Sequence, residues 1–475
     1  MNIIEMSLTE LAAALGKKKV SSVEVTEACL KRISETKVYN NFITVCEDYA
    51  LESARNADGE RAKGSDKPLL GVPIAIKDNI STKGIKTTCA SRFLSDFVPP
   101  YDATAVKKLK EAGAVIIGKT NMDEFAMGST NENSAFGIVK NARDNTRVPG
   151  GSSGGSANCV AACQAFAALG SDTGGSIRQP AAYCGVVGFK PTYSAVSRNG
   201  LIAFASSFDQ IGPITRTVDD ALVMFKSIVG RDPLDNTSMD APNLPYSLDG
   251  SVKGKTIGIA DEFLQNLNDE NKAAFEKAVE ALKSQGAKIK KVSIKSFDAA
   301  LAVYYVLSSA EAASNLARYD GVKYGNRAKG YKDINELYIK SRTEFFGAEV
   351  KRRIMIGNYV LSSGYYDAYY FKASKIRTII KADYDNALSS CDALLCPTAP
   401  DIAPKIGSES DPTKIYMSDI YTVPVNIAGL PAVSVPFGTA SGMPVGVQVI
   451  GKAFNDVEVL NIAKAIENAR GGALC

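Results

Sequence analysis

Apolar residues recur at helical spacing from the start of the chain: Leu8, Leu11, Ala12 and Leu15, then Val25, Cys29 and Ile33. Each set follows a capping box, Ser7-Leu8-Thr9-Glu10 and Ser21-Ser22-Val23-Glu24. In such a box the serine hydroxyl accepts from the N–H three residues on, while the glutamate reaches back to the serine N–H. Two helices are expected within about residues 7–36. A polar stretch over 56–67 follows and is expected to be mobile surface.

From Leu69 the pattern changes. Short apolar runs ended by Gly or Pro alternate with helical segments: 71–78 (GVPIAIKD), a helix over 103–112, and a strand over 115–117. Further on, a strand over 256–260, an amphipathic helix over 269–285 stopped by Gly286, and a strand over 289–294 make a βαβ-like unit. Near the end, 393–395, 432–435 and 445–450 read as buried strands, and 456–469 as a closing helix. This alternation predicts an α/β chain whose sheet is covered by helices on both faces. One segment departs from it. Gly and Ser crowd residues 150–176, and the Ala-rich, helix-compatible 157–169 divides them, so two Gly/Ser loops are expected to flank a helix.

Composition narrows the chemistry. The chain has 475 residues and not one histidine. Imidazole is the usual general base near neutral pH and the commonest metal ligand. Its absence removes Ser-His-Asp and Cys-His catalysis together with every His-ligated metal site. The nine cysteines are odd in number and form no C-x-x-C, so they read as buried thiols, and no metal site is expected. With 55 Lys plus Arg against 51 Asp plus Glu and no basic block, a strong nucleic-acid footprint is not written in the sequence. No run of 18 apolar residues occurs, and Glu5 stands where a signal peptide would carry positive charge, so a soluble, cytoplasmic protein without membrane contact is expected.

Two motifs suggest chemistry that their surroundings deny. Gly113-Ala-Val-Ile-Ile-Gly118-Lys119-Thr120 satisfies the phosphate-loop pattern, yet its middle residues favour a strand over a loop that cradles phosphate. Gly151-Ser152-Ser153-Gly154-Gly155 fits the nucleophile elbow of α/β-hydrolases, which needs a histidine that this chain lacks. A third constellation stands. Lys77 ends an apolar strand segment, where a lysine is costly unless paired or used. Two Gly/Ser loops, 150–156 and 170–178, supply hydroxyls and room for close backbone approach.

The stretches GVPIAIKDN, PGGSSGGSA and GSDTGGSIRQPAAYCGVVGFKPT resemble the amidase signature family, with Ser152 75 positions after Lys77 and Ser176 24 positions after Ser152. The resemblance runs from about Ser22 to Ala469. It implies the amidase signature fold, a large mixed central β-sheet with helices on both faces. It also implies a single domain over 1–475, with a signature core over about 69–220. It further implies a Ser-cis-Ser-Lys triad: Ser176 as nucleophile, Ser152 as the bridging serine after a cis peptide bond, and Lys77 as base. The N–H groups of Thr173, Gly174, Gly175 and Ser176 are the implied oxyanion hole.

Burial in the Ile74-Ala75-Ile76 segment is expected to depress the Lys77 pKa, provided no carboxylate pairs closely with it; Asp78 points to the other face if the strand continues. Within the family the likeness is greatest to glutamine-hydrolysing subunits of tRNA-dependent amidotransferases. Free glutamine carries a carboxylate and an ammonium, which call for an Arg fork and an acidic partner. The likeness places these at Arg352, with Arg353 the alternative one position on, and at Asp419, with Ser129 as a further substrate contact. It also implies two partners: a tRNA-binding kinase subunit, which would use ATP and Mg²⁺, and a small third subunit. No cofactor is expected in this chain itself, and tRNA is expected only through the partner. The alternatives are a stand-alone amidase and, from another class, a nucleotide-binding module on Gly118-Lys119-Thr120.

Overall fold

Consecutive residues of the buried strands enter different cores. Ala393 and Leu395 pack in one apolar cluster and Leu394 and Cys396 in a second; Val433 and Val449 join the first, Ala432 and Ile450 the second. Side chains alternate across a pleated strand, so a run apolar at every position requires cover on both faces. The computed structural model describes residues 3–240, 247–265 and 267–470. Within them the strands are β1 (Phe42–Val45), β2 (Pro73–Lys77), β3 (Val115–Thr120), β4 (Ala167–Asp172), β5 (Val187–Lys190) and β6 (Gln210–Thr215). The rest are β7 (Thr256–Ala260), β8 (Lys288–Val292), β9 (Ala393–Pro397), β10 (Ala432–Ala440) and β11 (Met443–Gly451). All eleven form one sheet in the order β1-β3-β2-β4-β6-β5-β10-β11-β9-β7-β8. It is mixed: β2 runs parallel to β3 and β4, and β7 to β8 and β9, while β4–β6 and β10–β11 are antiparallel.

The two N-terminal helices begin where the capping boxes predict. Ser7 and Ser21 accept from the N–H groups of Glu10 and Glu24, whose carboxylates return the bond. The βαβ unit forms as Thr256–Ala260, Asp269–Ser284 and Lys288–Val292, and the closing helix spans Asp456–Arg470. Among the described residues no helix is long and apolar enough to cross a membrane. The eight described cysteines form no disulfide; Cys475 lies outside the described residues.

Two expectations are corrected. Most of 56–67 is not mobile surface, because the helix Glu47–Ala62 runs through it, burying Ala50, Ala54 and Ala57 along one face. Asp58 on that helix accepts from the N–H groups of Ser22 (2.8 Å) and Val23 (3.2 Å), serving the start of the preceding helix. The helix expected over 157–169 is instead Gly154–Ala161, starting inside the Gly/Ser loop, and Ala167–Leu169 belongs to β4. Pairing decides this: β4 lies between β2 and β6, with Ala167 opposite Ile74 and Thr215.

Candidate active site

Lys77 is the last residue of β2, and its side chain is fully buried. Its Nζ lies 2.7 Å from Ser152 Oγ, 2.7 Å from Ser153 Oγ and 3.1 Å from the Ser171 carbonyl oxygen. Burial pushes its pKa down from 10.5 to about 7, against the opposing pull of Asp123, Asp172 and Asp209. The neighbours also orient the amine. The Ser153 hydroxyl donates to the Ser171 carbonyl at 3.1 Å, so towards Lys77 it accepts. A neutral amine that spends its two N–H bonds on Ser153 and the Ser171 carbonyl turns its lone pair to Ser152.

Ser152 follows a cis peptide bond from Gly151. This loop sits in a tight seat: a Cβ on Gly151 would lie 2.1 Å from Asp123 Oδ2. Asp123 accepts from the N–H groups of Asn131 (2.9 Å) and Asn133 (3.2 Å), and its own N–H donates to the Ser152 carbonyl at 3.3 Å. Ser176 lies on the loop after β4, and its carbonyl accepts the Ser153 N–H at 3.1 Å, tying the two Gly/Ser loops together.

Asp172, at the end of β4, organises the 173–177 loop. Its carboxylate accepts from the N–H groups of Gly175 (2.8 Å) and Ile177 (3.1 Å), from Arg178 Nε (3.1 Å) and Nη2 (3.0 Å), and from Asn426 (2.9 Å). Burial alone would raise its pKa, but the Arg178 guanidinium prevails and holds the carboxyl down to about 2. The Gly175 N–H, expected in the oxyanion hole, is therefore engaged by Asp172. Thr173, Gly174 and Ser176 are the positions of that set left to supply N–H groups to an oxyanion. Gly175 has φ +137°, and a Cβ there would lie 2.1 Å from Thr422 Oγ1, so both backbone angle and space call for glycine.

On the far side of this loop the two neighbouring arginines part. The Arg352 side chain is 43% exposed and reaches back to Glu349, whereas that of Arg353, 3% exposed, turns inward. Arg353 Nε donates to Glu349 Oε1 at 2.7 Å, and its guanidinium carbon lies 4.5 Å from the Tyr305 ring centre and 4.7 Å from that of Tyr416. Arg353 Nη1 is buried without a hydrogen-bond partner. Asp419 presents the opposite charge in the same condition. Its Oδ2 accepts the Ser129 hydroxyl, and its Oδ1 is buried and unpartnered, 3.3 Å from where a Cβ on Gly175 would stand. Burial raises the Asp419 pKa to about 7, opposed by the Ser129 hydrogen bond.

The sequence model of the amidase family matches residues 24–460. The chain belongs to the amidase family. A curated relative, the A subunit of glutamyl-tRNA(Gln) amidotransferase from Thermoanaerobacter pseudethanolicus, is 52% identical over 474 residues, covering 99% of this chain and 97% of that one. The solved A subunit of the Thermotoga maritima glutamyl-tRNA(Gln) amidotransferase is 42% identical, with 98% and 95% of the two chains covered and a TM-score of 0.82. The native peptide amidase of Stenotrophomonas maltophilia reaches a TM-score of 0.83 at 30% identity, with 99% and 98% covered. The amidase backbone thus fits both kinds of enzyme equally well, and identity separates them.

Within this amidase the phosphate-loop pattern is overturned. Its residues 115–120 are strand β3, and Lys119 is fully buried, donating to the Ile80 carbonyl (3.0 Å) and Thr87 Oγ1 (2.7 Å) beside Asp78 (3.4 Å). Sequence reasoning missed Ser153, Asp172, Glu349, Tyr305 and Tyr416. Asp172 and Arg178 carried a signal, since two opposite charges six residues apart bracket the second Gly/Ser loop. Gln179 carried none, though it joins the loops, accepting from the Gly151 N–H (3.1 Å) and donating to the Ser129 carbonyl (2.9 Å).

Proposed function

We propose that this chain is the glutamine-hydrolysing subunit of an amidotransferase that converts Glu-tRNA(Gln) to Gln-tRNA(Gln), with Asp-tRNA(Asn) as a further substrate of the same complex. The observation that carries the proposal is the pair of unmet buried groups, Arg353 Nη1 and Asp419 Oδ1. A buried donor and acceptor left open are costly unless a ligand completes them. A free α-amino acid does so with its carboxylate on Arg353 and its ammonium on Asp419, which leaves its side-chain amide for the serine loop. Identity of 52% along almost the whole chain to a protein named as such a subunit supports the same reading.

In this mechanism neutral Lys77 takes the Ser152 hydroxyl proton as Ser152 takes that of Ser176. The freed Ser176 Oγ forms a bond to the glutamine amide carbon, and the carbonyl electron pair moves to oxygen, where N–H groups of the 173–176 loop hold the charge. Collapse of this adduct breaks the C–N bond. The proton returns from Lys77 through Ser152 to the leaving nitrogen, which departs as ammonia. Water then attacks the acyl-enzyme by the same relay and releases glutamate. In the proposed assembly the ammonia passes to a tRNA-binding partner that uses ATP and Mg²⁺, and a small third protein completes the complex.

The test is glutamine hydrolysis by the chain together with whatever subunits co-purify with it. Arg353→Ala should raise KM for glutamine about 100-fold, as expected for loss of a buried charge-assisted hydrogen bond. Arg352→Ala, at an exposed ion pair, should stay within about two-fold of the parent. The reverse pattern would overturn the pocket. Isolation without any tRNA-binding partner, with simple amides preferred over glutamine, would favour a stand-alone amidase.

A further inference from the structure

The helix Ala348–Leu361 carries both Glu349 and Arg353, yet its N-cap is Gly347, which has no side-chain oxygen for the open N–H groups of the first turn. A carboxylate comes to this end from 223 positions away: Glu124 Oε2 accepts the Gly347 N–H at 2.7 Å. The other oxygen, Oε1, accepts the Ser91 hydroxyl at 2.5 Å. Glu124 is 2% exposed, and a Cβ on Gly347 would lie 2.3 Å from its Oε2, so helix start and carboxylate are pressed together. Negative charge is favoured at this end of a helix. Arg92 and Lys351 are the cations that face it.

The residue before Glu124 is Asp123, which holds the other half of the site through its seat against Gly151 and its N–H to the Ser152 carbonyl. The turn that follows places Phe125 and Ala126 at φ +49° and +63°. Two adjacent buried carboxylates thus hold the serine loop on one side and the Arg353 helix on the other.

We propose that Glu124 is a positioning residue for the substrate carboxylate, setting the helix that bears Arg353 in register with the Ser152 loop. The inference rests on the glutaminase reading above. Glu124 touches no reacting atom, so its effect falls on binding. Loss of an interaction made equally in ground and transition states raises KM and spares kcat.

The experiment measures glutamine hydrolysis by the co-purified complex carrying Glu124→Gln or Ser91→Ala. Burial raises the Glu124 pKa to about 7, so the assay is run at about pH 8, where the carboxylate is charged; glutamine in its place keeps an acceptor for the Gly347 N–H but loses that charge. KM is expected to rise about ten-fold, with kcat within about two-fold. Ser91→Ala, which frees one oxygen of Glu124, should move KM the same way by about three-fold. A fall in kcat at unchanged KM, or an unchanged KM in both variants, overturns the inference. If Glu124→Gln does not fold, Ser91→Ala decides by the same criterion. A parent complex that leaves glutamine intact overturns the proposed function and this inference together; a working parent with unmoved variants overturns this inference alone.

Discussion

Two lysines lie on adjacent parallel strands, both fully buried, and they have opposite fates. In the β2–β3 register Lys119 stands beside Ile76, and Lys77 beside Thr120. Side chains alternate along each strand, so the two ammonium stems leave the sheet on opposite faces. Asp78, the residue after Lys77, lies on the Lys119 side, 3.4 Å from its Nζ, and also accepts the Thr88 N–H at 2.8 Å. Burial lowers the pKa of both lysines and carboxylates oppose it at both, but Lys119 has Asp78 in direct contact, whereas the direct contacts of Lys77 are hydroxyls and a carbonyl, with Asp123, Asp172 and Asp209 acting without an ion pair. The lesson is that burial alone does not make a base. The pleat assigns the nearby carboxylate to one lysine, which becomes structural, and leaves the other able to lose its proton near neutrality.

This contrast breaks most sharply by truncation. Lys77→Ala should lower glutamine kcat by about 10³-fold or more in a folded protein, measured by ammonia release. Lys119→Ala should instead leave Asp78 as an uncompensated buried charge and cost about 3–5 kcal/mol of stability in urea denaturation. Equal stability of Lys119→Ala and the parent would erase the distinction.

A pH series sharpens the comparison with a smaller effect. The Lys77 amine, with its pKa brought down to about 7, holds its proton below that value and has no lone pair for Ser152. Turnover should therefore rise with pH through about 7, and a flat profile from about pH 5 to 9 would rule Lys77 out as the base. Stability follows the same group. Because its folded pKa lies below the ordinary 10.5, the unfolded chain binds the extra proton between about 7 and 10.5, and Lys77 contributes increasing stability as pH rises through that window. The smallest effect belongs to Asp78→Asn. Asp78 serves the other lysine, so the acid limb of the kcat profile should move by less than about half a pH unit even as the protein loses stability.

Where side chains were large or charges local, the sequence foretold the structure. The capping boxes at Ser7 and Ser21 and the strands around Ile257 and Val433 depend on contacts within a few residues or on β-branched runs. Alanine defeated the same reasoning twice. The buried face Ala50–Ala54–Ala57 is too weakly apolar to stand out among Asp58, Gly59 and Arg61, and Ala167-Ala168-Leu169 is as compatible with a helix as with the strand that pairing imposes. The candidate site divides in the same way. Lys77, Ser152 and Ser176 lie in motifs, but the choice between Arg352 and Arg353 depends on helix phase set by Glu349, Tyr305 and Tyr416. The engagement of the Gly175 N–H depends on Asp172, whose direction only the folded loop fixes.

Arg178 stands just beyond the nucleophile loop, and its guanidinium donates to the Thr422 carbonyl (3.1 Å), Asn426 Oδ1 (2.5 Å) and Gln448 Oε1 (2.5 Å), as well as to Asp172. The loop that bears Ser176 is therefore locked by residues synthesised 244 to 270 positions after Arg178. Within the loop Asp172 still accepts from Gly175, Ile177 and Arg178, but the guanidinium's other three acceptors all come from residues 422–448. A chain cut before Thr422 would keep both Gly/Ser loops intact and lose three of the acceptors that fix Arg178 beside them.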